Sequence, residues 1–160
     1  MHVYECMATQ VKTCVPESSC EKAGEIMRRH HRGFLSIVDS LKRRRVVGVV
    51  TDRDIMLHLT YVNLPASKLA VKVCMRAAPP MISREADLEV AVRVMEKEAL
   101  YQLPVIDEGK LVGMLSLEDI ALAVHRQWAY IGPHVTEQNV TAILEAIAVA
   151  RERRQRNSRS

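Results

Sequence analysis

Aromatic side chains are nearly missing from this chain: one Phe, one Trp and four Tyr in 160 residues, or 4% of the sequence. Any core must therefore be filled by Val, Ile, Leu, Met and Ala, within a hydrophobic content of 48% that is ordinary for a globular domain. No apolar run approaches the roughly 18 residues that a membrane helix needs. The opening stretch MHVYECMATQ lacks the basic-then-apolar pattern of a secretory signal, so a cytoplasmic location without a membrane partner is expected. The four cysteines, Cys6, Cys14, Cys20 and Cys74, form no C-x-x-C pair and no metal-type spacing. His30 and His31 are adjacent, which in a helix points them about 100° apart and makes them a poor metal pair. A glycine-rich phosphate loop and a nucleophile elbow are also missing. No catalytic residue, metal site or required cofactor is expected, and the chain does not read as an enzyme.

The body of the chain has no excess of either charge. The net charge is +4, and the last ten residues, RERRQRNSRS, supply all of it with five Arg against one Glu. Residues 1–150 are neutral overall, so the basic balance gives no ground for a nucleic-acid face. The short run KRRR (Lys42 to Arg45) and the cluster RRHHR (Arg28 to Arg32) are read first as solvated turns and helix ends. A phosphate-reaching role is the rival reading for RRHHR.

What is present is a repetition. RRRVVGVVTDRDIML (Arg43 to Leu57) returns as GKLVGMLSLEDIAL (Gly109 to Leu122). A shift of 68 places sets Val3–Met7 on Val71–Met75, Cys20 on Leu88, Met27 on Met95, and Leu35–Asp39 on Leu103–Asp107. The register then drops to 65, pairing Gly48 with Gly113, Thr51 with Ser116, and Asp54 with Asp119. The slip falls in one loop, where SLKRRR in the first copy faces EGK in the second. Length change confined to a connecting loop is how duplicated units diverge. The alignment also gives two cysteines a role: Cys14 and Cys20 stand where the second copy has Ile82 and Leu88, which marks them as small core hydrophobes.

Each copy has the same order. An extended segment precedes a helix with apolar spacing (Cys20, Ala23, Met27; Leu88, Ala91, Val92, Met95). Two β-rich runs joined by a turn follow, and a second helix begins at Asp52 and at Leu117. A bridge (His58 to Ala70) joins the copies. Beyond the repeat, Val140, Ile143, Leu144 and Ile147 form an i, i+3, i+4, i+7 stripe, with Thr136 or Asn139 as its cap and Gly132-Pro133 setting it apart.

The motifs VVGVVTDRDI and LVGMLSLEDI, each after an (L)x(V/I)(V/I)D run and a Met-bearing helix, resemble paired CBS domains, the cystathionine β-synthase type or Bateman module. The resemblance covers roughly Val3 to Arg126. It implies an α/β (α+β) fold of two βαββα units in a pseudo-two-fold pair, here with an added C-terminal helix. The divisions expected are residues 3–60, a linker at 61–70, residues 71–127, and a helical extension with a basic tail at 128–160. The resemblance also implies a sensor that binds an adenosine-containing ligand (AMP, ADP, ATP, NAD or S-adenosylmethionine, with AMP or ATP foremost) in clefts between the units. It would signal occupancy to a protein partner that the sequence does not name, commonly as a homodimer. The alternative is a structural or interaction module whose clefts hold nothing.

Residue chemistry gives two readings of the repeated motif. Thr51-x-x-Asp54 and Ser116-x-x-Asp119 fit a helix-capping box, in which hydroxyl and carboxylate satisfy each other's backbone N–H. A strand that enters a helix there also aims N–H groups at its carboxyl edge, where phosphate binds, and a carboxylate can accept from a ribose diol. Carried over residue by residue, the resemblance assigns nucleotide contact to Thr51, Asp54, Ser116 and Asp119. Arg53 is the phosphate partner that the second copy replaces with Glu118. Gly48 and Gly113 are expected to leave room for close approach. Ser36, where the second copy has Pro104, departs from the family pattern. Finally, the helix faces around Met27, Met95 and Ile55 are expected to remain uncovered in a single chain.

Overall fold

The computed structural model describes residues 1–127 and 136–157, so Gly132 and Pro133 lie outside the described residues. The fold is mixed α+β. Its elements, in chain order, are β1 (Thr13–Cys14), α1 (Cys20–Arg29), β2 (Phe34–Val38), β3 (Val46–Thr51), α2 (Asp52–Val62) and β4 (Arg76–Ala77). They continue with β5 (Ile82–Ser83), α3 (Leu88–Glu98), β6 (Gln102–Asp107), β7 (Lys110–Ser116), α4 (Leu117–Gln127) and α5 (Glu137–Asn157). Short 3-10 turns at Val3–Glu5 and Val71–Val73 lead the two repeats.

The chain divides into two compact units. One holds Gln10–Pro79 with Glu108–Leu111; the other holds Met1–Thr9, Pro80–Asp107 and the described residues from Val112 onward. The leading segments are therefore exchanged: Val3–Met7 lies in the unit of the second repeat's helices, and Val71–Met75 in that of the first.

In the first-named unit the sheet order is β1-β2-β3-β4. β1 runs parallel to β2, while β2/β3 and β3/β4 are antiparallel. Cys14, Cys20, Ala23, Met27, Leu35, Ile37, Val50, Ile55, Leu69 and Val71 form its buried cluster. Both cysteines are thus packed as their alignment partners are. The long turn between β2 and β3 does more than carry charge. Arg44 takes a left-handed backbone (φ 57°), and its Nε donates to the Leu111 carbonyl at 3.2 Å. For Arg44 the solvated-turn expectation is corrected: the longer loop turns this one side chain back onto protein.

The other unit orders its sheet β5-β6-β7, with β5 parallel to β6. Ala8 bridges antiparallel to Met114, as β4 pairs with β3 in the first unit. Here α5 adds to the core. Ile143 is fully buried and Ile147 is 3% exposed, both in one cluster with Val92, Met95 and Ile120. Burying two such side chains stabilises by about 1.5–3 kcal/mol each. The Asn139 Oδ1 accepts the Thr136 N–H at 2.8 Å and so holds the start of the helix.

The expectation of bare helix faces is corrected in detail. Met27, Ile55 and Met95 are all buried, because each points down onto its own sheet or, for Met95, shares a core with α5. Exposed apolar side chains stand next to them instead: Met56 at 60%, Leu57 at 53% and Tyr61 at 87% on α2, and Val90 at 36% on α3.

Candidate functional site

The two strand-to-helix junctions are built alike. Thr51 ends β3 in extended backbone and caps α2; its Oγ1 accepts the Asp54 N–H at 3.0 Å. Asp54 Oδ2 accepts the Thr51 N–H at 3.0 Å and the Thr51 hydroxyl at 2.6 Å. At the second junction Ser116 Oγ accepts the Asp119 N–H at 3.1 Å, while Asp119 Oδ2 accepts the Ser116 N–H at 2.8 Å and its hydroxyl at 2.6 Å. The capping box is thus made twice, and the acid in each first turn also favours the helix dipole.

These bonds restrict what else the residues can do. A hydroxyl has one proton, and both Thr51 and Ser116 spend it on the carboxylate. Phosphate, which only accepts, would have to draw that proton away. Free N–H groups at the start of α2 are not found either, which corrects the sequence argument for that turn. Asp52 N–H donates to the Gly33 carbonyl at 3.0 Å, and Arg53 N–H to the Asp52 carboxylate at 2.7 Å. What remains is Oδ1 of Asp54 and of Asp119, which accepts no hydrogen bond among the described residues. One oxygen of each carboxylate caps; the other is open to a donor such as a ribose hydroxyl.

Sequence reasoning missed a cation. Arg76 Nη2 lies 3.2 Å from Asp54 Oδ2, with Arg76 about half exposed and Asp54 25% exposed. β4 brings it there by pairing Val49 with Arg76 and Gly48 with Ala77. Gly48 permits the approach: a Cβ at that position would stand 2.9 Å from the Arg76 carbonyl and 2.9 Å from Met75 Sδ. Gly113 faces Met7 and Ala8 in the same way. The two glycines therefore make room for the chain's own leading segments. Under the 68-place shift the counterpart of Arg76 is Ala8, so the difference was already visible one residue beyond VKVCM and VYECM. The first junction carries Arg53 and Arg76 where the second carries Glu118 and Ala8.

The RRHHR cluster lies elsewhere in its unit. Arg28, His31 and Arg32 line an open groove of about 850 Å³ between α1 and α2, with Met27, Ile55, Met56 and Leu59. Asp52 reaches this groove, but Thr51 and Asp54 do not line it. Ser36 is buried at the centre of β2, paired in register with Thr13 and Val49.

The CBS domain family model matches residues 3–61 and 70–126. The chain belongs to the CBS domain family. It carries the domain as a tandem pair, followed by a C-terminal helix. Among curated proteins it is 30% identical over 124 residues to the CBS domain-containing protein YhcV of Bacillus subtilis, covering 75% of this chain and 83% of that one. It is 29% identical over 135 residues to inosine-5'-monophosphate dehydrogenase of Streptococcus pyogenes, covering 84% of this chain. The CBS pair spans only a quarter of that enzyme's length. Among solved structures, CBSX2 in complex with AMP, a CBS-pair protein of Arabidopsis thaliana, superposes with a TM-score of 0.67 at 24% identity, over 78% of this chain and 96% of that one. At that identity the likeness establishes the shared fold. No helix among the described residues is long and apolar enough to cross a membrane, and no group of three or more His, Cys, Asp or Glu side chains among them is placed to hold a metal ion.

Proposed function

We propose that this CBS pair is a regulatory module that binds an adenosine nucleotide, AMP or ATP foremost, with Asp54 at the ribose and Arg76 and Arg53 at the phosphate. The single observation that carries this reading is the asymmetry of two otherwise identical caps. Of the two junctions, only Thr51–Asp54 has a cation from β4 on its capping carboxylate, with the other oxygen left open, and a second arginine, Arg53, on the first turn of α2. Charge-assisted contacts of this kind are the strong ones. The AMP complex of a CBS-pair protein of the same fold supports the choice of ligand class. At the second junction Ser116 and Asp119 offer the ribose contact alone, since Glu118 repels phosphate. The protein acts by signalling occupancy to a partner rather than by catalysis.

The second reading, a module whose caps hold nothing, is favoured by Asp54 Oδ2 itself, which already takes three donors. A thermal-shift panel of AMP, ADP, ATP, NAD and S-adenosylmethionine separates the two. A ligand at 100 times its Kd stabilises by about 2.7 kcal/mol, or roughly 5–10 °C for a chain of this size. No shift across the panel would support the second reading.

We also propose a homodimer. The α1–α2 groove and the exposed Met56, Leu57 and Tyr61 form an apolar face on one unit. The exposed residues of α1 run from a net acidic half (Glu21, Lys22, Glu25) to a basic one (Arg28, Arg29) along its length. A second copy packed antiparallel would set each acidic half against a basic one, as a two-fold interface requires.

A further inference from the structure

Cys20 and Cys74 stand 54 residues apart in sequence, yet their Sγ atoms are 3.7 Å apart. The backbone holds them there. Cys20 N–H donates to the Leu69 carbonyl at 2.7 Å, Val71 N–H to the Ser18 carbonyl at 2.8 Å, and Lys72 N–H to the Pro16 carbonyl at 3.0 Å. The start of α1 and the 3-10 turn Val71–Val73 are thus tied together by three backbone hydrogen bonds leading up to the two thiols. A disulfide needs its sulfurs at about 2.05 Å, so the two thiols, at 3.7 Å, have a short distance left to close. Cys20 is 1% exposed and Cys74 is partly exposed, which sets the order of events.

We propose that Cys20 and Cys74 are a redox pair whose disulfide latches the segment that carries Arg76. Cys74, the reachable thiol, attacks glutathione disulfide as its thiolate and releases one glutathione thiolate. Cys20 then attacks the mixed disulfide, displacing the second glutathione and closing the intramolecular bond. Two electrons pass from the cysteine pair to the glutathione disulfide, and the two protons lost appear on the two glutathiones. Burial first, and the Cys20 contact next, push the Cys74 thiol up to about 12. The attacking thiolate is therefore scarce at neutral pH, and closure is slow. Two residues beyond Cys74, Arg76 meets Asp54, so the bridge holds the cation at the proposed phosphate site. That consequence rests on the proposed function; the bridge itself does not.

The test incubates the full chain with millimolar glutathione disulfide at pH 9 for a day, followed by intact-mass and tryptic-peptide analysis and by melting. A two-dalton loss is expected, with one Cys20–Cys74 linked peptide. Tm should rise by roughly 10 °C, because the bridge closes a loop of about 55 residues in the unfolded chain, and dithiothreitol should reverse it. Cys74→Ser should abolish the linkage, and Cys6→Ser and Cys14→Ser should each preserve it, the last because Cys14 shares a tryptic peptide with Cys20. Oxidised chain should bind AMP several-fold more tightly than reduced chain. Thiols still free after the incubation, or a bridge through Cys6 or Cys14, would overturn the pair. A correct bridge with unchanged AMP affinity would overturn the latch. Failure of AMP to bind in either state, with the bridge formed, would sink the nucleotide reading and leave the redox pair standing.

Discussion

Arg76 Nη2 and Asp54 Oδ2 lie 3.2 Å apart, and that same oxygen takes the N–H and hydroxyl of Thr51. The carboxylate is anchored on one side and open on the other. Its cationic neighbour comes from β4, a strand of two residues. With Arg76 about half exposed, the ion pair adds little stability: exposed pairs contribute about 0–1 kcal/mol. Its value lies in placing charge beside an open oxygen.

Arg76→Ala should therefore leave melting almost unchanged and weaken AMP by about 10- to 150-fold, the equivalent of about 1.5–3 kcal/mol for a charge-assisted contact. Adenosine, which has no phosphate, should bind the variant and the parent alike. Arg53→Ala should show the same selectivity. Equal losses for AMP and adenosine would place both arginines away from the phosphate.

Gly48→Ala tests how the segment is held. The added methyl meets a backbone carbonyl, that of Arg76, which cannot rotate aside as a side chain can. A cost of about 1–3 kcal/mol is expected from such overpacking, read by chemical denaturation, together with weaker AMP binding as β4 is pushed outward. At Gly113 the closest atom is the sulfur of a methionine, so Gly113→Ala should cost less.

Much of this arrangement was legible in the sequence. Hydroxyl-x-x-acid after a β-rich run fixed the starts of α2 and α4 at Asp52 and Leu117, because capping chemistry is local and reads directly from residue type. Alignment of the copies gave Cys14 and Cys20 their place in the core. β4 was not legible. Two residues show no periodicity, and Arg76 reaches Asp54 through a pairing of segments more than 20 residues apart. The exchange of leading segments between the units was hidden for the same reason. The Cys20–Cys74 contact needed the fold to bring residues 54 apart together.

The C-terminal helix should matter through its apolar stripe and not through its tail. Ile147→Ala should destabilise by about 2–5 kcal/mol, the usual cost of emptying a buried aliphatic site, because Ile147 packs in the same cluster as Met95. Removal of residues 151–160 should lower the net charge to zero and leave both folding and AMP affinity intact, as circular dichroism and titration would show. Unfolding on truncation would show that the arginines hold the helix.

Met56→Asp addresses assembly. Light scattering of the parent should give about twice 18.1 kDa, and the variant, with a charge on the exposed face of α2, should give a monomer of unchanged melting temperature. A monomeric parent at micromolar concentration would rule out the proposed interface.

The most direct measurement is calorimetric titration of AMP into the parent, Asp54→Ala and Asp119→Ala. Losing either cap should cost about 1 kcal/mol of stability, so folding is checked by melting beforehand. The account predicts that Asp54→Ala weakens AMP by about 10- to 150-fold, and that Asp119→Ala has a smaller effect because its junction lacks the arginines. If both variants bind AMP as the parent does, the repeated motif is a helix cap written twice, and the nucleotide-sensing account is wrong.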